Sequence, residues 1–130
     1  MKSNFGFGKT VDLDFEAAIE QVTDELAKEG FGVLTTIDVQ ATLKAKLDLD
    51  MPGYRILGAC NPGLASQAIS AVPDIGLLLP CNVLVREDDD GRVHVGFMDP
   101  GAVLSLVDNP GVDPLAEQVK SKLESVMAAL

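Results

Sequence analysis

The sequence predicts an α+β domain of two layers, a mainly antiparallel sheet with helices packed on one face. Three observations lead there. Strand-like and helix-like segments come in mixed order with short links between them. One hairpin signal, Asp88-Asp89-Asp90-Gly91, joins two apolar segments directly. The chain of 130 residues, 47% apolar with a mean hydropathy of +0.22, has the size of one domain and is too apolar for a disordered one. A doubly wound parallel sheet is the alternative.

The elements follow in order. Ser3 to Val11 alternates weakly, with Phe5, Phe7, Lys9 and Val11 on one side, and reads as an edge strand. Asp14 caps a helix whose apolar stripe is Phe15, Ala18, Ile19, Val22 and Leu26. Lys28 in its last turn suits the helix dipole, and Gly30 suits the left-handed cap beyond it. Phe31 to Ile37 is a β-rich strand, and Asp38 caps a short helix reaching about Leu47. After a turn over Asp48 to Gly53, Tyr54 to Cys60 forms a buried strand. Asn61-Pro62 then supplies a cap and a first-turn proline for a helix that stops at Pro73. Ile75 to Glu87 is apolar enough for a central strand, although Pro80 cannot donate a ladder hydrogen bond and predicts a bulge or break. Arg92 to Met98 alternates Val93, Val95 and Phe97 against Arg92 and His94. Asp99-Pro100-Gly101 starts a short helical stretch, and Asp113-Pro114 opens a last helix with Leu115, Val119, Leu123, Val126 and Leu130 on its inner face. No linker or repeat divides the chain, so residues 1–130 read as a single domain.

Charge excludes several function classes. Twenty acidic against ten basic residues give a net charge of −10. Such a domain repels phosphate backbones and anionic bilayers, which argues against nucleic-acid and membrane partners. With 5% aromatics and no Trp, platforms for base stacking are scarce as well. The N-terminal residues lack the apolar core of a secretory signal, and no stretch of about 18 apolar residues is present to span a bilayer. Two cysteines are too few for a disulfide scaffold. The expected location is cytoplasmic.

Common chemical motifs fail on inspection. Gly8-Lys9-Thr10 lacks the earlier glycine and the preceding strand of a phosphate loop, and neither Gly6-Phe7-Gly8 nor Gly30-Phe31-Gly32 has the third glycine of a dinucleotide fingerprint. Asp88-Asp89-Asp90 is not a calcium loop, because the closing glutamate is missing and position 97 is Phe97. His94 is the sole histidine, so no multi-histidine metal site exists; its alternation places it on the outer face of the sheet.

What remains is a doublet in an unusual place. Between Arg55 and Arg86 lie thirty residues with one charge, Asp74, whereas elsewhere about three positions in ten are charged. This stretch is core, or core plus a subunit interface, and it holds both cysteines. Ala59-Cys60-Asn61-Pro62 and Pro80-Cys81-Asn82-Val83 each present Cys-Asn at the edge of an apolar strand. Cys60 precedes a helix N-terminus, where the unpaired amides favour a thiolate. If the strands are neighbours, two thiols and two carboxamides converge. Cys60 and Cys81 would then suit a thiophilic metal, a sulfur-containing ligand or a reversible disulfide. Against this stands plain packing: free cysteine is among the most buried residue types, Asn61 is explained as a cap, and Asn82 can fill a bulge.

At these residues the chain resembles a known family. Gly30-Phe31-Gly32-Val33, Leu57-Gly58-Ala59-Cys60-Asn61-Pro62 and Gly76-Leu77-Leu78-Leu79-Pro80-Cys81-Asn82-Val83 are similar to the domain-of-unknown-function family numbered 302, from about Gly30 to Pro100 with plausible flanking helices. The resemblance implies a curved antiparallel sheet carrying helices, like that of the TATA-box-binding protein, and a homodimer. It implies no activity, and a fold shared with a DNA-binding saddle transfers no function.

Three readings stand. The first is a binding module in which Cys60, Asn61, Cys81 and Asn82 line a pocket for a metal ion, held by Cys60 and Cys81, or for a small sulfur compound. The second is a thiol enzyme or redox switch, with Cys60 reactive, Cys81 resolving, and Lys46 and Tyr54 as the nearest proton donors. The third is a structural dimer with inert cysteines. No cofactor is legible.

Overall fold

The computed structural model describes residues 2–130. Five strands form one sheet in the order β1-β5-β4-β3-β2, with every neighbouring pair antiparallel. They are β1 (Gly6–Val11), β2 (Gly32–Asp38), β3 (Tyr54–Cys60), β4 (Cys81–Glu87) and β5 (Val93–Met98). The helices are α1 (Phe15–Lys28), α2 (Val39–Leu47), α3 (Pro62–Ala71), α4 (Pro100–Leu104) and α5 (Asp113–Ala128). The α+β reading therefore holds and the parallel alternative falls.

Side-chain alternation explains the layers. Phe7, Phe97, Val83 and Leu57 are successive partners across four strands and face the same way. Phe97, Val83 and Leu57 are buried, and the Phe7 and Phe97 rings stack with centroids 5.6 Å apart. Val95 and Val85 form the next buried row. Ala18, Val22 and Leu26 of α1, with Val119, Leu123 and Val126 of α5, close over these rows. Each large side chain buried there contributes about 1.5–3 kcal/mol. The opposite face carries Thr10, His94, Arg86, Tyr54, Ile56, Leu84 and Asn82, exposed or half-buried, and neither α1 nor α5 covers it.

Local signals set the helix starts. Asp14 accepts from the Ala17 amide at 2.7 Å, and Asp38 accepts from the Ala41 amide at 2.9 Å. Gly30 adopts φ +85° just past α1, where a side chain would be strained. Arg55, on the helix side of β3, sets its guanidinium 5.3 Å from the Phe15 ring and reaches Glu16 and Asp38 at 3.3 and 3.4 Å. β2, an edge strand, shifts register between Val33 and Thr35. Outside β1, at the other edge, Lys2 bridges back to Phe7.

One predicted strand is shorter than its apolar run. Pro73–Leu78 is a 3-10 helix, and β4 begins only at Cys81, after a cis Leu79–Pro80 peptide. Pro73 suits a first helical turn, and Ile75 is drawn down into a second core cluster with Ala68, Leu104, Val112, Leu115 and Ala116. Phe5 also differs from expectation: it lies outside β1 and is 65% exposed. The charge-poor stretch becomes β3, α3, the 3-10 turn and β4, including the middle strand of the sheet. Among the described residues, no helix is long and apolar enough to cross a membrane.

Truncating Phe97→Ala is expected to cost about 3–5 kcal/mol in denaturant unfolding, whereas Phe5→Ala stays within about 0.5 kcal/mol.

Candidate functional site

The two cysteines come together because antiparallel pairing reverses direction. β3 ends at Cys60, β4 starts at Cys81, and Ala59 pairs with Cys81, so both thiols sit at one end of the sheet. From there α3 folds back over that end, and α5 closes the other side. The space left between them is a cavity of about 340 Å³, within the range of small-molecule sites. Ala59, Cys60, Cys81, Leu64, Ala68, Leu79, Leu104, Leu115 and Val119 line it, and its walls are almost wholly apolar. Leu34 and Ile69, 66% and 47% exposed, also belong to the lining and form its rim.

Polar groups are few. Asn61 lines the cavity, but its amide is committed to structure: Oδ1 accepts from the Leu64 amide at 3.3 Å as the cap of α3, and Nδ2 donates to the Glu29 carbonyl at 3.4 Å. This second bond ties α3 to the end of α1. Both cysteines are free thiols, Cys60 half-buried and Cys81 buried. Burial pushes the Cys81 thiol up to about 11, and the neighbouring Cys60 adds to the rise. Cys81 is therefore a neutral thiol at pH 7, a soft wall group rather than a nucleophile.

The structure gathers half of the expected set. Cys60, Asn61 and Cys81 share the cavity, while Asn82, Lys46 and Tyr54 lie elsewhere. Asn82 is one residue past Cys81 on the same strand, so it points to the opposite face, across from Gly58. It lines a separate hollow of about 270 Å³. Tyr54 starts β3, six residues before Cys60 and roughly 20 Å away along the strand. Lys46 is exposed on α2. The two Cys-Asn pairs are thus not equivalent, because the first straddles a strand–helix junction and the second lies within a strand.

Sequence reasoning missed the α5 wall, Leu115 and Val119, and the rim residue Leu34. The small residues Ala65 and Ala68 on α3 were the available signal, since they leave room beneath the helix. As for metals, no group of three or more His, Cys, Asp or Glu that could hold an ion occurs among the described residues. Two sulfurs fall short of the four ligands of a structural zinc site.

Residues 7–130 match the family described as "Domain of unknown function DUF302". The chain belongs to the DUF302 family. The crystal structure of an uncharacterised conserved DUF302 protein from Bacillus stearothermophilus superimposes with a TM-score of 0.89 at 26% identity, covering 98% of both chains. An uncharacterised protein of Aquifex aeolicus (strain VF5) is 27% identical over 86 residues, which are 57% of this chain and 60% of that protein. This chain therefore spans less than two thirds of that relative. The family match covers nearly the whole chain, including every element that builds the cavity of this DUF302 domain.

Iodoacetamide at pH 8 is expected to label Cys60 and spare Cys81, as read by peptide mass mapping. The Cys81 titration also predicts alkaline destabilisation. The unfolded chain releases this proton near pH 9 and the folded one near 11, so the contribution is complete below 9 and lost as pH rises to 11. Urea unfolding should show a loss of about 2–3 kcal/mol across that window, beyond that of a Cys81→Ala variant.

Proposed function

We propose that this DUF302 protein is a binding module for a small, uncharged, sulfur-containing molecule, held in the cavity at the Cys60–Cys81 end of the sheet. The observation that carries this reading is the cavity itself: apolar, reached past Leu34 and Ile69, and walled at one end by two thiols. Burial of an apolar ligand supplies the affinity, and polarisable sulfur against Cys81 supplies selectivity. A thiophilic metal fits less well, because binding would have to strip a proton from Cys81 in an apolar setting. Pairing of two chains over the rim would bury Leu34 and Ile69 without new polar contacts and would cover the entrance of the cavity.

A thiol switch is the second reading. It is favoured by the ladder position of Cys81, opposite the residue that precedes Cys60. A Cys60–Cys81 disulfide would link adjacent strands and shrink the cavity.

Titration with thioanisole is expected to give saturable heat and to shift methyl resonances of Leu64, Leu115 and Val119. Ala68→Leu, which fills the cavity, should weaken binding at least tenfold while leaving the unfolding midpoint unchanged or higher. Binding that survives this filling, or zinc uptake that exceeds thioanisole binding and vanishes in Cys60→Ser, would argue against the apolar-ligand reading.

A further inference from the structure

A second constellation occupies the face of the sheet that the cavity does not use. Thr10, His94, Arg86 and Tyr54 are successive register partners across β1, β5, β4 and β3, so all four side chains rise from the same face. Directly opposed residues in an antiparallel ladder keep their Cβ atoms about 4.5–5.5 Å apart, within reach of one small molecule.

The row contains an ordered relay. Thr10 Oγ1 lies 2.9 Å from His94 Nδ1, and His94 Nε2 lies 2.9 Å from Asp88 Oδ2. A carboxylate only accepts, so in the neutral imidazole Nε2 carries the proton and Nδ1 is left to receive the one on the Thr10 hydroxyl. Asp88 is fixed in turn, because its Oδ1 accepts from the Asp90 and Arg92 amides at 3.0 Å each. The bond from His94 holds the Asp88 carboxyl below the usual carboxylate range, so it stays anionic near neutrality. A hydroxyl against an imidazole that a carboxylate orients is the arrangement an activated nucleophile needs.

Arg86 stands on the other side of His94, and among the described residues no ion pair or hydrogen bond engages its side chain. In a chain with twice as many acids as bases, a guanidinium left without a carboxylate is free to hold an anionic group of a ligand. The neighbouring row begins with Gly8 and Gly96, neither of which carries a side chain. A Cβ on Gly8 would collide with the Val95 carbonyl, so no larger residue fits at that position. Gly96 also borders the hollow that contains Asn82, leaving space for the rest of a substrate.

We propose that this face is a hydrolytic site for small esters bearing a negative charge, with Thr10 as nucleophile, His94 as general base and Arg86 as anchor for the anion. Thr10 Oγ bonds to the carbonyl carbon while its proton passes to His94 Nδ1. The bond from that carbon to the leaving oxygen then breaks, and the departing alcohol takes the proton from His94. Water attacks the acyl-threonine by the same route, giving its proton to His94, and release of the acid restores the Thr10 hydroxyl. Water is the only co-reactant. Asp88 acts as a positioning residue, holding the ring in the tautomer that can accept from Thr10.

The test compares p-nitrophenyl hemisuccinate, which is anionic, with p-nitrophenyl acetate, which is neutral, using the full chain. The wild type should release nitrophenol from the hemisuccinate at least about 100-fold faster than equimolar free imidazole. Thr10→Val should abolish that excess, Thr10→Ser should retain it, and acid quenching should trap a succinyl group on Thr10. Asp88→Asn keeps the acceptor oxygen for the turn but presents an N–H to the ring, reversing the tautomer; its rate should fall at least tenfold with an unchanged circular dichroism spectrum. Arg86→Gln should raise KM for the hemisuccinate alone. Turnover no faster than imidazole, or equally fast in Thr10→Val, overturns the proposal. Equal handling of both esters by the wild type overturns the role of Arg86.

Discussion

The constraint on which the rest depends is that α1 and α5 cover one face of this sheet and not the other. Phe97, Val83 and Leu57, with Val95 and Val85, must stay under α1 and α5. A slip of one residue in any strand would turn that strand's buried set to the far face and bring the other set underneath. Register is therefore held by the whole core, and with it the fate of every side chain that chemistry could use. Cys81 lies among the buried rows because Val83 and Val85 do, and Asn82 lies opposite for the same reason. His94 is out because Val93 and Val95 are in.

The two candidate sites inherit contrasting environments from this division. At the sheet end below α3, the surroundings are apolar and the thiol of Cys81 keeps its proton far into the alkaline range. An ionised ligand would lose its hydration there and gain little in return. On the uncovered face, carboxylate, imidazole and guanidinium side chains retain contact with water. A single fold thus presents an apolar hollow at one end of the sheet and a water-exposed polar row on its other face. Arg55 lies between these extremes. It is on the helix side, yet the Phe15 ring, Glu16 and Asp38 leave its Nε buried without a partner.

Much of the architecture was legible in the sequence because its signals are local. Asp14, Asp38 and Asn61 cap helices through contacts three residues away, and the Asp88–Gly91 turn is set by its own side chain and by Gly91 at φ +81°. The outward placement of His94 followed from period-two alternation alone. The 3-10 turn at Pro73–Leu78 was missed because an apolar run reads alike as strand or as buried helical turn, and only tertiary packing of Ile75 decides. The pairing of Asn82 with Asn61 was misleading for a different reason: identical dipeptides acquire different directions at a junction and within a strand. The relay was beyond reach, since Thr10 and His94 are 84 positions apart and meet only through the β1–β5 ladder.

The irregularity in β2 has a bearing on how copies of this protein meet. A straight outer strand with unsatisfied amides invites a foreign strand to dock and lengthen the sheet, the first step toward fibrils. Here the register shift between Val33 and Thr35 breaks the even spacing of those amides, and on the far side the Lys2–Phe7 bridge shields part of β1. Both flanks are thereby spoiled as templates. A foreign strand would meet uneven amide spacing on one flank and a partly paired strand on the other.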